Sequence, residues 1–305
     1  MALNNPAFNN PAFQDARAVK SYPGGPQAAT IGGPTQASTA QAQATAAATN
    51  AQLEGAFAAP PAGSLETGRM TVEDTVWKTV GLFAVLVVAA VGGWVWTMAS
   101  ATSTGRVNVL PWLIGALGGF VLAMVIIFTS RKKVRPALIF TYAAFQGVFV
   151  GGISAFFELT WPGIVLQATL ATLAVVGVTL ALFASGKVRA SKRATKVFMI
   201  AMIGYFVFSL INVGLMLFNA PIAGGPFGLR SQEGPFGIQW GLIIGVLVVI
   251  MAAYSLVLDF DNIQQGVRNG APRQYGWLGG FGIMVTVVWL YLEILRILAI
   301  ARGNS

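Results

Sequence analysis

Residues 77–98 read WKTVGLFAVLVVAAVGGWVWTM and contain a single charged side chain, Lys78. About twenty apolar residues are enough for an α-helix to cross the roughly 30 Å hydrocarbon core of a bilayer. Six further stretches of this kind follow along the chain, at about 108–129, 136–157, 162–185, 195–219, 237–259 and 276–300. The alternation over about ten residues that is typical of membrane β-barrel strands is absent. The sequence therefore predicts an all-α membrane protein, a bundle of seven transmembrane helices.

The composition agrees with a chain that is solvated mainly by lipid. Of its 305 residues, 55% are hydrophobic and 10% are charged, whereas soluble domains carry about 25% charged residues. The chain has no cysteine and no histidine, which excludes disulfides, thiol catalysis, ordinary zinc sites and histidine-based triads. It also lacks the Gly-x-Gly-Asp pattern of intramembrane aspartyl proteases. We therefore expect no enzyme, no resident metal and no cofactor.

Residues 1–72 differ sharply in composition from the rest of the chain. They are rich in Ala, Pro, Gln, Asn, Gly and Thr, and such a segment cannot bury enough apolar surface to offset the entropy of ordering. The sequence Asn-Asn-Pro-Ala-Phe occurs twice in tandem, over residues 4–8 and 9–13. This repeat either docks a partner through its Phe side chains or is a duplication without a partner. The sequence predicts a disordered N-terminal tail over 1–72 and a membrane domain over 73–305.

The basic residues indicate how the helices are oriented. They concentrate in the second, fourth and sixth links between the predicted spans: Arg131, Lys132, Lys133, Arg135, Lys187, Arg189, Lys192, Arg193, Lys196, Arg268 and Arg273. Basic links favour the cytoplasmic side, which places the N-terminus in the cytoplasm and the C-terminus outside, in a cell inner (plasma) membrane. Orientation and contact with anionic lipid headgroups explain the net charge of +9, so nucleic acid is not an expected partner.

Glycines recur at a spacing of four residues in several predicted spans: Gly115/Gly119, Gly147/Gly151, Gly241/Gly245 and Gly276/Gly280. This spacing allows the backbones of two helices to approach closely. We expect these glycines to pack helices of the same chain against one another rather than to form a dimer.

Four charged residues lie within or at the ends of the last two predicted spans: Asp259, Asp261, Glu293 and Arg296. A charge near the bilayer centre costs roughly 2.5–3.5 kcal/mol on insertion scales, so such residues usually pair, face the bundle interior or line an aqueous path. Asp259 faces either the bundle or water, and we expect Asp261 to be a solvated interfacial carboxylate. Glu293 either pairs with Arg296, its i+3 neighbour, or Arg296 extends to the membrane surface by itself. The depth of Glu293 indicates a functional role.

Several short motifs in the membrane domain carry a family resemblance. Residues 254–263 read YSLVLDFDNI, residues 290–293 read LYLE, residues 141–147 read TYAAFQG and residues 167–168 read QA. Together they resemble the Bax inhibitor family (transmembrane Bax inhibitor motif proteins), in its bacterial branch. The resemblance covers about residues 75–302 and leaves out the tail.

The resemblance implies a carboxylate pair between the sixth and seventh helices that acts as a pH sensor, in a protein linked to calcium leak. It assigns the sixth-span position to Asp259 and the seventh-span position to Glu293, with Asp261 as the alternative if the alignment shifts by two. Two features depart from the family: Glu293 replaces an Asp, and the sixth link is longer. With a tight turn, the two carboxylates lie at different depths. They meet only if about 266–279 form an excursion or the seventh span begins later.

Two functional hypotheses follow from these residues. In the first, close carboxylates share a proton, so that a protonated pair holds the last two helices together and a deprotonated pair opens a pH-gated path. Carboxylates are also suitable ligands for passing Ca²⁺. In the second hypothesis, the protein transports nothing and is a membrane scaffold or a modulator of other membrane proteins or of a membrane protease. The expected partners are the lipid bilayer and, in the second case, other membrane proteins.

Overall fold

The structure, a computed structural model, describes residues 68–104, 107–218, 220, 222, 225–234 and 237–303. These residues form seven long α-helices: α1 (Val72–Thr104), α2 (Leu110–Ser130), α3 (Pro136–Thr160), α4 (Ile164–Ala184), α5 (Lys192–Leu217), α6 (Trp240–Arg268) and α7 (Tyr275–Arg302). All seven are long and apolar enough to cross a membrane, which confirms the predicted fold class. The tandem repeat, Arg106 and all of the predicted tail before residue 68 lie outside the described residues.

Helix α6 continues well beyond the predicted end of its span at residue 259. The apolar run stops at Asp259, but the helix does not, because Asp259, Asn262 and Ile263 all face the bundle interior and are buried. A tight turn over residues 269–274 then leads into α7, with Gly270 at φ 68°. Residues 266–279 therefore form no excursion, and the two acidic helices are joined by a short connection.

Helix α7 occupies the centre of the bundle. It packs against α1, α3, α4 and α6, and more of its residues are buried than in any other span. Since consecutive helices alternate in direction, the first, third and fifth links lie at one end of the bundle, here called the odd-link side. The second, fourth and sixth links and residues 68–71 lie at the other end, the even-link side.

Glycines bring α3 into backbone contact with its neighbours. A Cβ atom at Gly147 would collide with the backbone of Leu86, and one at Gly151 would collide with the backbone of Ala90, both in α1. A Cβ atom at Gly115 of α2 would collide with the backbone of α3. The packing within one chain that we predicted for these glycines is confirmed.

Helix α5 lies at the edge of the bundle. Of its residues, all of which are described, Phe198 and Asn212 are the buried ones. Polar side chains contribute to its attachment: the hydroxyl groups of Thr195 and Tyr254 lie 3.0 Å apart near the even-link side. Further polar contacts of α5 lie on the odd-link side and belong to the candidate site.

The start of α1 is fixed to the sixth link. Met70 donates its N–H to the Ala271 carbonyl at 2.7 Å, and Arg273 donates its N–H to the Gly68 carbonyl at 2.9 Å. The guanidinium of Arg273 also donates to Asp74 of α1 through Nη2 at 2.7 Å. The end of the predicted tail is therefore bound to the turn between α6 and α7.

Candidate functional site

Asp259 lies in the interior of the bundle, facing α7. Its side chain is fully buried, and the Thr286 hydroxyl donates to its Oδ2 atom at 2.6 Å. Of the two orientations that the sequence left open, the one toward the bundle is therefore observed. Thr286 is itself buried, so this bond joins α6 and α7 away from water.

Glu293 lies at the centre of a polar network on the odd-link side. Its side chain is 2% exposed. Its Oε2 atom accepts hydrogen bonds from the Tyr205 hydroxyl at 2.8 Å and from Arg296 Nη1 at 2.7 Å. Its Oε1 atom lies 3.8 Å from Arg230 Nη1. One buried carboxylate therefore faces two guanidinium groups, and we call these four residues the Glu293 cluster.

Arg230 reaches the cluster from the fifth link rather than from a helix that crosses the membrane. It lies in a short 3₁₀ turn, Gly228–Ser231, and is 4% exposed. Its Nη2 atom donates to Ser209 of α5 at 3.1 Å, and its guanidinium lies over the rings of Tyr205 and Phe208, at 5.3 and 5.5 Å from their centroids. The buried Nε atom of Arg230 has no hydrogen-bond partner among the described residues.

The link that carries Arg230 is held in place by Asn212 of α5. Asn212 accepts from the Leu229 N–H at 2.7 Å and donates to the Phe227 carbonyl at 3.2 Å. Phe227 also stacks on Trp161 at the end of α3, with ring centroids 6.4 Å apart. These contacts satisfy the Leu229 N–H and the Phe227 carbonyl and fix the link from which Arg230 enters the bundle.

The two buried carboxylates, Asp259 of α6 and Glu293 of α7, lie at different depths along the bundle. Thr286, which binds Asp259, precedes Glu293 by seven residues, which is two turns and about 10 Å of helix. The short turn between α6 and α7 produces this offset, as the sequence predicts for a tight connection. The hydrogen bonds thus place Asp259 with Thr286 and Glu293 with the arginines.

Asp261 lies apart from both groups. It is half-buried, and the charges of Arg189 and Arg268 act on it from the even-link side. Asp261 and Asp259 therefore point in different directions, as expected for residues two apart on a helix.

Sequence reasoning considered the pair of Glu293 and Arg296 but missed Arg230, Tyr205 and Thr286. The first two are separated from Glu293 by 63 and 88 positions, so no local pattern connects them. The position of Thr286 could have been recognised from the sequence, because residues seven apart on a helix share a face. A polar residue at that spacing from Glu293 indicates a second polar level in the same helix.

Comparison with known proteins identifies the family. No curated protein and no solved structure matches the chain. The family model described as Bax inhibitor 1 like matches residues 5–303. The match extends through most of the tail, which the resemblance, at about residues 75–302, left out. The chain therefore belongs to the Bax inhibitor 1 like family, as a membrane protein with seven apolar helices.

Proposed function

We propose that this protein is a pH-sensitive cation leak pathway of the cell inner (plasma) membrane, with Ca²⁺ as the transported ion and no enzymatic activity. The observation that carries this proposal is the burial of Glu293 between two arginines inside an apolar span. Replacing a buried ionic group by apolar residues is often neutral or stabilising. Such a cluster therefore favours a functional role over a purely structural one.

Polar residues at two depths within the bundle support a path for ions. Tyr205, Ser209 and Asn212 follow one another on one face of α5, at a spacing of four and then three residues, and each contacts the Glu293 cluster or its link. About 10 Å further toward the even-link side, Asp259 and Thr286 form the second polar level. A cation that crosses the bundle would meet these two carboxylates in succession.

The charges around Glu293 determine the proposed direction of the pH response. When Glu293 is ionised, it holds Arg230 and Arg296 together. When it takes up a proton, that attraction is lost and the two guanidinium groups repel each other. Arg230 then leaves with the fifth link, and the odd-link side opens to water. This sign is opposite to that expected for two adjacent carboxylates, because the neighbours of Glu293 are cations.

Calcium flux into liposomes tests the proposal. With purified protein and a trapped calcium indicator, we expect flux to rise as the pH falls. Glu293→Gln removes the charge that holds both arginines and should give a high flux with little pH dependence. Asp259→Asn removes the second carboxylate and should lower the flux severalfold.

Glu73→Gln serves as the matched control, since Glu73 is exposed at the start of α1. This variant should behave as the wild type. If Glu293→Gln keeps the wild-type pH response, Glu293 is not the sensor. If wild-type liposomes conduct no Ca²⁺ while an ionophore does, the scaffold hypothesis replaces the leak pathway.

A further inference from the structure

A cavity lies between α1 and α4, away from the Glu293 cluster. Its volume is about 540 Å³, within the roughly 300–1,000 Å³ range of small-molecule pockets. Helices α3 and α7 form its back wall, because α1 and α4 each pack on these two helices. We call this cavity the lateral groove.

The lateral groove is long and runs parallel to the helices. On α1 its lining extends from Phe83 to Trp94, eleven residues or about 16 Å of helix. On α4 it extends from Val165 to Leu173, about 12 Å. In a bilayer the helices lie close to the membrane normal, so the groove follows the direction of the lipid acyl chains.

The groove opens toward the bilayer. Val87 and Val91 on its α1 edge are 56% and 58% exposed, and Leu173 on its α4 edge is 62% exposed. These side chains lie in the middle portions of spans that cross the membrane, where the surroundings are hydrocarbon. A lipid chain can therefore enter the groove sideways, without passing through water.

The four hydroxyl groups of the groove wall are already hydrogen-bonded. The Ser154 and Tyr291 hydroxyls lie 2.6 Å apart and bond to each other. Thr169 and Thr172 donate to carbonyl groups of their own helix at 2.8 and 2.7 Å. Apart from the indole N–H of Trp94 at one end, the remaining lining side chains are apolar, so the wall offers mainly dispersion contacts and a surface removed from water.

We propose that the lateral groove binds one acyl chain of a membrane phospholipid, lying parallel to α1 and α4. The length of the groove, its lateral opening and its hydrogen-bonded hydroxyl groups all suit this occupant. The chain would fill the space that α1 and α4 leave between them. This proposal concerns a different site from the leak pathway and does not depend on ion flux.

Retention of phospholipid through detergent purification tests the proposal. A chain held in a groove should survive washing that removes the surrounding lipid, so we expect the wild type to keep one phospholipid by native mass spectrometry. Val87→Trp fills the groove from α1 and should reduce retention severalfold. The neighbouring variant Val88→Trp places the same ring on the outer face, where Val88 is 74% exposed, and should retain the lipid.

A second pair of variants tests the same groove from α4. Thr169 lines the groove, so the indole ring of Thr169→Trp should occupy it. Leu170 is 59% exposed, so the ring of Leu170→Trp should face the surrounding lipid. A phospholipid with a photoactivatable acyl chain should label groove peptides in the wild type and in Leu170→Trp, but not in Thr169→Trp. Equal retention and labelling in each pair would overturn the proposal, as would a wild type that keeps no lipid or keeps only a free fatty acid.

Discussion

Arg230 is a charged residue of a link between helices, yet its side chain is removed from water. It faces Glu293 at 3.8 Å and two aromatic rings, and the Glu293 carboxylate supplies the compensating charge. Breaking a buried ion pair by removing one partner typically costs roughly 3–5 kcal/mol. Here the second guanidinium, on Arg296, remains beside Glu293 and limits that loss.

We expect Arg230→Gln to increase calcium flux at neutral pH toward the level that the wild type reaches in acid. The neutral side chain is no longer drawn to Glu293, so the fifth link is released without protonation. Arg230→Lys keeps the charge and should restore part of the closed state. Liposome flux across a pH series measures both variants.

The matched control for this variant is Arg302→Gln. Arg302 lies on the same side of the bundle and donates to the Pro162 carbonyl at 2.8 Å, outside the Glu293 cluster. Calcium flux through the Arg302→Gln variant should show the same pH dependence as flux through the wild type. An Arg230→Gln curve that coincides with the wild-type curve at every pH would contradict the proposed closure by the fifth link.

At the level of helices, the contact between α1 and α3 depends on glycine. We expect Gly151→Ala to lower the temperature of unfolding in detergent, because a Cβ atom there meets the backbone of Ala90, which cannot move away without displacing α1. Thermal unfolding followed by circular dichroism measures the effect.

Gly177→Ala provides the comparison, since a Cβ atom at Gly177 in α4 has no heavy atom within 4 Å. There the substitution should be neutral or stabilising by up to about 1 kcal/mol, because alanine is the better helix former. Equal stability of the two variants would argue against close packing of α1 and α3.

The helices were easier to predict than their ends. Apolar runs identified all seven, because lipid imposes length and composition on any helix that crosses it. The end of α6 was misplaced by nine residues, since a polar residue that faces the interior looks in sequence like one that faces water. Asp259 and Asn262 are such residues.

For the whole molecule, the orientation that the basic links predict is open to a direct test. The chain has no cysteine, so a single introduced cysteine reports one position. We expect Glu233→Cys, an exposed position in the fifth link, to react with a membrane-impermeant maleimide in intact cells. Lys132→Cys, exposed in the second link, should react only after the membrane is permeabilised. The reverse pattern would invert the proposed topology.

The site was less predictable than the fold because its partners come from distant parts of the chain. The acidic residues were identified from the cost of burying charge, and the i+3 spacing of Glu293 and Arg296 suggested one pair. No spacing rule connects Glu293 with a link arginine or with Tyr205 of α5. These contacts depend on which faces of α5 and α7 meet, and the apolar pattern of a membrane helix specifies that weakly.

The attachment of residues 68–70 to the turn between α6 and α7 has a mechanical consequence. Two backbone hydrogen bonds connect these segments, and the ion pair of Asp74 with Arg273 reinforces them. The start of α1 is therefore coupled to the turn that joins the two helices carrying Asp259 and Glu293. Residues 68–70 and Asp74 thus clamp the short connection that sets the offset between Asp259 and Glu293.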